Sequence, residues 1–217
     1  TTEIYTLSLH DALPIFTNRN CAKGLQMLVD TGLARAIFGE FSAKDIDCGI
    51  RTILNLEAIG RSATGLAAFL IGMPLDSAMD MVQSLKLSNT MIKEVGYLLG
   101  KHDKLIETGL SLADLKRLMA NPSFEELCKI QSGYLKAQGK GDKLMREVLE
   151  RAQQLVDKEL MPLPLLSGYD LMAMGIAQGP LLGKISDAMY DAQLNEQIKN
   201  RQEAEKWVLD YISSFKK

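Results

Sequence analysis

Two histidines, three cysteines and few aromatic residues set the first limits on this 217-residue chain. Two histidines are too few for a His-rich metal or catalytic cluster, so no metal site is expected here. Cys21, Cys48 and Cys128 lie far apart, are odd in number and form no CxxC pair, which reads as reduced thiols in a cytoplasmic protein. No run approaches the roughly 20 apolar residues that a membrane helix needs. No secretory apolar region is recognisable either. Strand formers are scarce: aromatics are 6% of the chain, and runs of Val, Ile, Thr and Tyr are few.

Met, Leu, Ala, Lys and Glu are abundant instead. These residues lose little rotamer freedom in a helix, so the composition predicts an all-α protein. With 47% hydrophobic residues over this length, a sizeable core can be filled.

The first residues, TTEIYTLSLHDALPI, resemble the translation of a common short-read sequencing adapter. Residues 1–16 are therefore set apart from fold reasoning as a joining artefact, with a genuine reading frame expected from near Phe16. His10-Asp11, a pair that would suggest a metal phosphohydrolase, falls inside this segment. His102-Asp103 is a second such pair, but no other native histidine joins it, and it is expected to be an exposed helix end. Without Glu3 and Asp11 the remainder carries 25 basic and 25 acidic residues. A neutral domain grips RNA only through local patches, weakly and with strong salt dependence.

Apolar residues recur at helical spacing from Arg19 onward, with breakers between the runs. Asp45 to Ile59 reads as one helix ended by Gly60, and Pro74 opens the next but one. Ser88 and Ser111 read as caps before Met91–Ile106 and Leu112–Met119. Asp142 to Leu160 is amphipathic, with Leu144, Val148, Ala152, Leu155 and Val156 on one face. Alternate prolines in Met161–Gly168 hold that segment extended and mark a subdomain boundary. Helices are expected again at 169–174, 180–198 and 201–215.

Chemistry concentrates in Gly168–Lys184. Gly175 and Gly179 can adopt positive φ or permit close approach. Pro180 suits a first helical position, and the amides of Leu181, Leu182 and Gly183 would then stand free at a positive helix end, with Lys184 beside them. Two readings are open: a phosphate grip, or a helix–turn–helix junction whose glycines only allow packing. Asp170 is expected to cap or orient the turn. A second run, Lys129 to Lys158, has seven basic residues against four acidic ones. It is either a solvated helix face or, around Gly139, Lys140, Gly141 and Lys143, a path for a phosphate backbone.

The stretch Pro164–Ile198 resembles the C-terminal region of the CCA-adding tRNA nucleotidyltransferase and bacterial poly(A) polymerase family. There a G-x-D-L-[MI]-x-x-G-[IV]-x-x-G-P-x-[LI]-G-[KR] run is met at Gly168, Asp170, Leu171, Met172, Gly175, Ile176, Gly179, Pro180, Leu182, Gly183 and Lys184. EAEKWV from Glu203 and LKLSN from Leu85 fit as well, and Ser111–Met119 and Gly24–Phe41 more loosely.

The resemblance implies an irregular multi-helix array with a small C-terminal tail: neck remnant 17–60, body 61–160, tail 161–217. It implies tRNA or an RNA 3′ end as partner. RNA contacts would fall at Gly179, Pro180, Leu181, Gly183, Lys184, Lys140 and Lys143, with Gly168, Asp170 and Gly175 shaping the turn. In the family two aspartates hold metal ions on a catalytic head. No G-S…D-x-D occurs in this sequence, so the head, with its Mg²⁺ and ATP or CTP, is expected on a missing N-terminal domain. The chain alone is then inactive and holds no cofactor. CCA and poly(A) addition are not separable from these residues. A helical scaffold or oligomerisation domain without RNA contact is the alternative, and an HD-type phosphohydrolase a remoter one.

Overall fold

The computed structural model describes residues 13–17, 20–39 and 41–214. These described residues form twelve α-helices and no strand, the all-α class that the composition predicts. His10, Asp11 and Phe215 lie outside them. In chain order the helices are α1 (Cys21–Asp30), α2 (Leu33–Phe38), α3 (Ala43–Leu54), α4 (Ser62–Leu70), α5 (Leu75–Ser84) and α6 (Asn89–Lys101). There follow α7 (Leu112–Met119), α8 (Phe124–Ala137), α9 (Lys143–Gln153), α10 (Gly168–Ala173), α11 (Pro180–Leu194) and α12 (Arg201–Ser214). Short 3-10 turns occupy Leu13–Thr17 and His102–Ile106. No helix among the described residues is long and apolar enough to cross a membrane.

Contacts divide the chain into two units. The first comprises residues 1–108 and 122–150, and the second Gly109–Asn121 and Arg151–Lys217. The segment 61–160 is thus shared between them.

In the first unit α4 is the centre: Ala63 to Leu70 are all buried. Helix α3 approaches it so closely that a Cβ on Gly49 would lie 2.0 Å from the Phe69 carbonyl oxygen, which only glycine avoids. Phe16, Phe38, Phe41 and Phe69 form an aromatic cluster beside it, with neighbouring rings 5.4–6.4 Å apart. Phe16, the last residue of the set-apart segment, is therefore a core residue. Glu126 is buried in this unit and accepts a hydrogen bond from Thr64 at 2.6 Å. Burial pushes its carboxyl up, but Thr64, Lys129 and the nearby Arg61 outweigh that and hold it below the ordinary glutamate value.

Several helix limits differ from the spacing pattern, each for a local reason. Helix α3 starts two residues before Asp45, because Ser42 and Asp45 cap one another reciprocally. It stops at Leu54, where Thr52 and Asn55 turn their side chains back onto the Cys48 and Arg51 carbonyls. Pro74 takes the capping position, one residue before α5. Helix α6 tightens into a 3-10 turn at His102. On α9 the buried face is Met145, Val148 and Ala152, followed by Leu155 in the turns beyond the helix; Leu144 and Val156 are exposed.

Within the second unit, α7 is fastened to the end of α11. Lys116, 5% exposed, donates to the Leu194 carbonyl at 2.9 Å and to Glu196 at 3.1 Å. Arg117 pairs with Asp191, and the Ala113 N–H donates to the Asn195 side chain. A cation beside the C-terminal carbonyls of a helix is favourably placed. These bonds explain why residues 109–121 belong to this unit. The extended segment from Met161 is strapped along α11: the Pro162 carbonyl accepts from Tyr190, while Gln193 donates to the Leu163 carbonyl and accepts from the Leu165 N–H.

Candidate nucleic-acid interface

Gly168 to Lys184 forms a helix, a turn and the start of a second helix. Helix α10 begins with a reciprocal cap. Ser167 Oγ accepts from the Asp170 N–H at 3.2 Å, while the Asp170 carboxylate accepts from the Ser167 N–H at 2.8 Å and hydroxyl at 2.6 Å. The other carboxylate oxygen accepts from Arg201 Nη2 at 2.6 Å. The Ser167 hydroxyl foremost, then Arg201, holds the Asp170 carboxyl well below the usual carboxylate range. Asp170 therefore joins α10 to the start of α12. Nothing in the sequence pairs Arg201 with it, since they stand 31 positions apart.

Helix α10 ends at Ala173, and the chain turns away at Gly175, φ 89°. The Ile176 N–H donates to the Leu171 carbonyl and the Gly175 N–H to the Met172 carbonyl, a Schellman stop. Its two flanking apolar residues, Leu171 and Ile176, are both buried in the tail core with Ile185, Met189, Ala192 and Val208. A Cβ on Gly175 or Gly179 would meet nothing within 4 Å, so these glycines serve backbone conformation rather than close approach. Gly179, φ 152° and ψ −171°, occupies a region open essentially to glycine alone. Pro180 then takes the first helical position.

The amides differ from the expectation. The Gly183 N–H donates to the Gly179 carbonyl at 3.4 Å and the Leu182 N–H to the same carbonyl at 3.1 Å. Gly183 is already the fourth helical residue, where the i to i−4 ladder starts. Of the three amides, only that of Leu181 keeps an open direction. Ile185 and Met189 turn inward at helical spacing, which leaves Leu181, Gly183 and Lys184 exposed. A Cβ on Gly183 would meet nothing within 4 Å, so the backbone beside Lys184 is uncovered. Lys184 has no ion-pair partner among the described residues.

Lys140 and Lys143 stand in the other unit. The loop carrying Lys140 is the Schellman end of α8: Gly139 has φ 68°, and the Lys140 N–H returns to the Leu135 carbonyl. Most of the basic run is already partnered. Lys129 meets Glu125 and Glu126, Lys136 meets Glu57, Lys143 meets Glu147, and Arg146 meets Asp142. Arg151 donates to the Leu110 carbonyl and Lys158 meets Glu196. Lys140 alone of the seven has no such partner among the described residues.

His102 is not the exposed helix end that the sequence suggested. It is 8% exposed, its Nδ1 lies 2.7 Å from Gln131 Oε1, and its ring meets Tyr134 edge-on. Gln131 follows His102 by 29 positions, too far for local pattern to join them. Among the described residues no group of three or more His, Cys, Asp or Glu is placed to hold a metal ion. Burial pushes the Cys21 thiol to about 11 and that of Cys128 to about 12, which suppresses thiolate chemistry at both.

The family described as tRNA nucleotidyltransferase domain 2 matches residues 59–208, more than half of the chain. No curated protein and no solved structure matches it.

Proposed function

The chain belongs to the tRNA nucleotidyltransferase domain 2 family, and from that premise we propose that it is an RNA-gripping body and tail that holds tRNA for 3′-end nucleotide addition. The observation that carries this reading is the turn at Gly179–Lys184, which lies inside the matched region. There an exposed, unpaired lysine stands on an uncovered first turn of helix. Such a turn suits a phosphate of any sequence, so the grip is on backbone and shape. Leu181 supplies the open amide, Gly183 the access and Lys184 the charge, while Gly168, Asp170, Gly175, Gly179 and Pro180 hold the geometry. Lys140, with Lys143 beside it, offers a second phosphate contact in the other unit.

Nucleotide transfer by two metal ions needs convergent carboxylates. We assign that step, with its Mg²⁺ and ATP or CTP, to a catalytic head outside these residues. Radiolabelled ATP or CTP with tRNA tests this directly, and incorporation by this chain alone would overturn it.

The binding test uses Lys184→Glu, because Gly179→Val would strain a glycine-only turn and confuse folding with contact. In low salt the variant should bind tRNA several-fold more weakly with its helicity unchanged. Equal affinity would sink the RNA assignment, and a concentration-dependent dimer without tRNA binding would favour a scaffold.

A further inference from the structure

Tyr169 is the one exposed aromatic side chain among the described residues, 82% open to solvent. The other aromatics of its unit are already engaged. Trp207 and Tyr211 stack on one another and pack against the tail core, and Tyr190 donates to the Pro162 carbonyl. Among the described residues neither the hydroxyl nor the ring of Tyr169 has a partner.

The two helices of the tail turn put it there. In α10 the wholly buried Leu171 faces the core, so Tyr169 and Met172, three positions apart on the other side, face outward. In α11 Ile185 faces the core, and Leu181 and Lys184, again three apart, are exposed. A Cβ on Gly168 would lie 3.8 Å from Leu182 Cδ2, so the start of α10 rests against the first turn of α11. Tyr169, next to Gly168, and Lys184, two residues past Leu182, thus flank the same contact.

Charge and apolarity together select the occupant. An apolar protein surface laid over Tyr169, Met172 and Leu181 would bury the Lys184 ammonium without an anion, which is costly. A nucleotide supplies both halves, a phosphate for the ammonium and a flat base for the ring. The nearby carboxylate does not oppose this, because Asp170 is engaged by Ser167 and Arg201. Within a duplex the bases are stacked inside, so a ring on the protein surface meets only the backbone. An unpaired nucleotide is required.

We infer, resting on the RNA-gripping role proposed above, that the Tyr169 ring stacks on the base of an unpaired nucleotide whose backbone is held at Lys184. Every base has a π-face, so the contact accepts all four. Lys184 then supplies the hold on phosphate, and Tyr169 the preference for loop or single-stranded nucleotides over duplex.

The test measures affinity for tRNA and for a long RNA duplex, over a range of salt, with the full chain and its Tyr169→Ala, Tyr169→Phe and Lys184→Glu variants. Tyr169 lies outside the core, so circular dichroism should show its variants folded like the parent. Tyr169→Ala should weaken tRNA binding about tenfold. Its log–log salt slope should match that of the parent, because stacking releases no counterion. Tyr169→Phe keeps the ring and should bind tRNA like the parent, and the duplex should bind all three proteins equally. If Tyr169→Ala keeps full tRNA affinity while Lys184→Glu loses it, the stacking contact is overturned and the RNA reading stands. An equal loss for tRNA and duplex also overturns it, since the contact is then not with an unpaired base. A chain that binds no tRNA overturns both readings, and a dimer abolished by Tyr169→Ala would place the ring between two copies instead.

Discussion

At the scale of single residues, the glycines of the tail turn separate two effects that sequence alone leaves joined. Gly175 has φ 89° with open space around it, so a side chain there meets backbone strain and no clash. Gly175→Ala should cost about 1–2 kcal/mol. Gly183 stands in a helix with nothing near its missing Cβ, and Gly183→Ala should add up to about 1 kcal/mol. Urea denaturation of both variants checks the opposite signs. Asp170 makes a pH prediction. Its carboxyl is held below the unfolded value by Ser167 and Arg201. Its contribution is complete above the ordinary aspartate pKa of about 3.9 and is lost as pH falls through that value towards the lower folded one. Denaturation midpoints should therefore fall in acid, and Asp170→Asn should make that fall shallower. Residue type left Gly175 either positive φ or close approach, and Asp170 either a cap or an orienting group; the structure selects positive φ and the cap. That Leu182 and Gly183 had already spent their amides was not legible, because it depends on which residue begins the ladder.

At the scale of elements, the caps at Ser88 and Ser111 were readable because each needs only a short local pattern, and both are present. The face of α9 was right at Val148, Ala152 and Leu155 and wrong at its edges, where Leu144 and Val156 are exposed and Met145 is buried. The neighbours Leu144 and Met145 are both apolar, and only packing decides between them. The attachment of α7 to α11 was invisible, since Lys116 and Leu194 stand 78 positions apart. A lysine in a mixed helix reads as solvated until its neighbours are known. Lys116→Met should cost about 1–3 kcal/mol, because the Leu194 carbonyl loses a buried donor and Glu196 keeps only Lys158. Glu196 sits left-handed at φ 60°, so losing Lys116 also releases a constraint on a strained residue. Guanidinium denaturation, with α11 followed by hydrogen exchange, is the measurement. Equal stability would show that the clamp is incidental.

At the scale of the whole molecule, the all-α class and the family were legible, and the division into units was not. Composition fixes the class because it acts on every residue. The family resemblance was legible from spacing within one contiguous run, Gly168 to Lys184, and the family match over residues 59–208 shows the membership. The unit division depends on bonds between distant residues such as Ala113 and Asn195. The balance of acidic and basic residues also bears on the proposed RNA contact: with few phosphates met, its affinity should be modest and fall with salt. The most direct test of the central claim is the dependence of tRNA affinity on salt for the chain and for Lys184→Glu. A phosphate contact at Lys184 predicts weaker binding at every salt concentration and a log–log slope smaller by about one. Superimposable lines for the two proteins would contradict it.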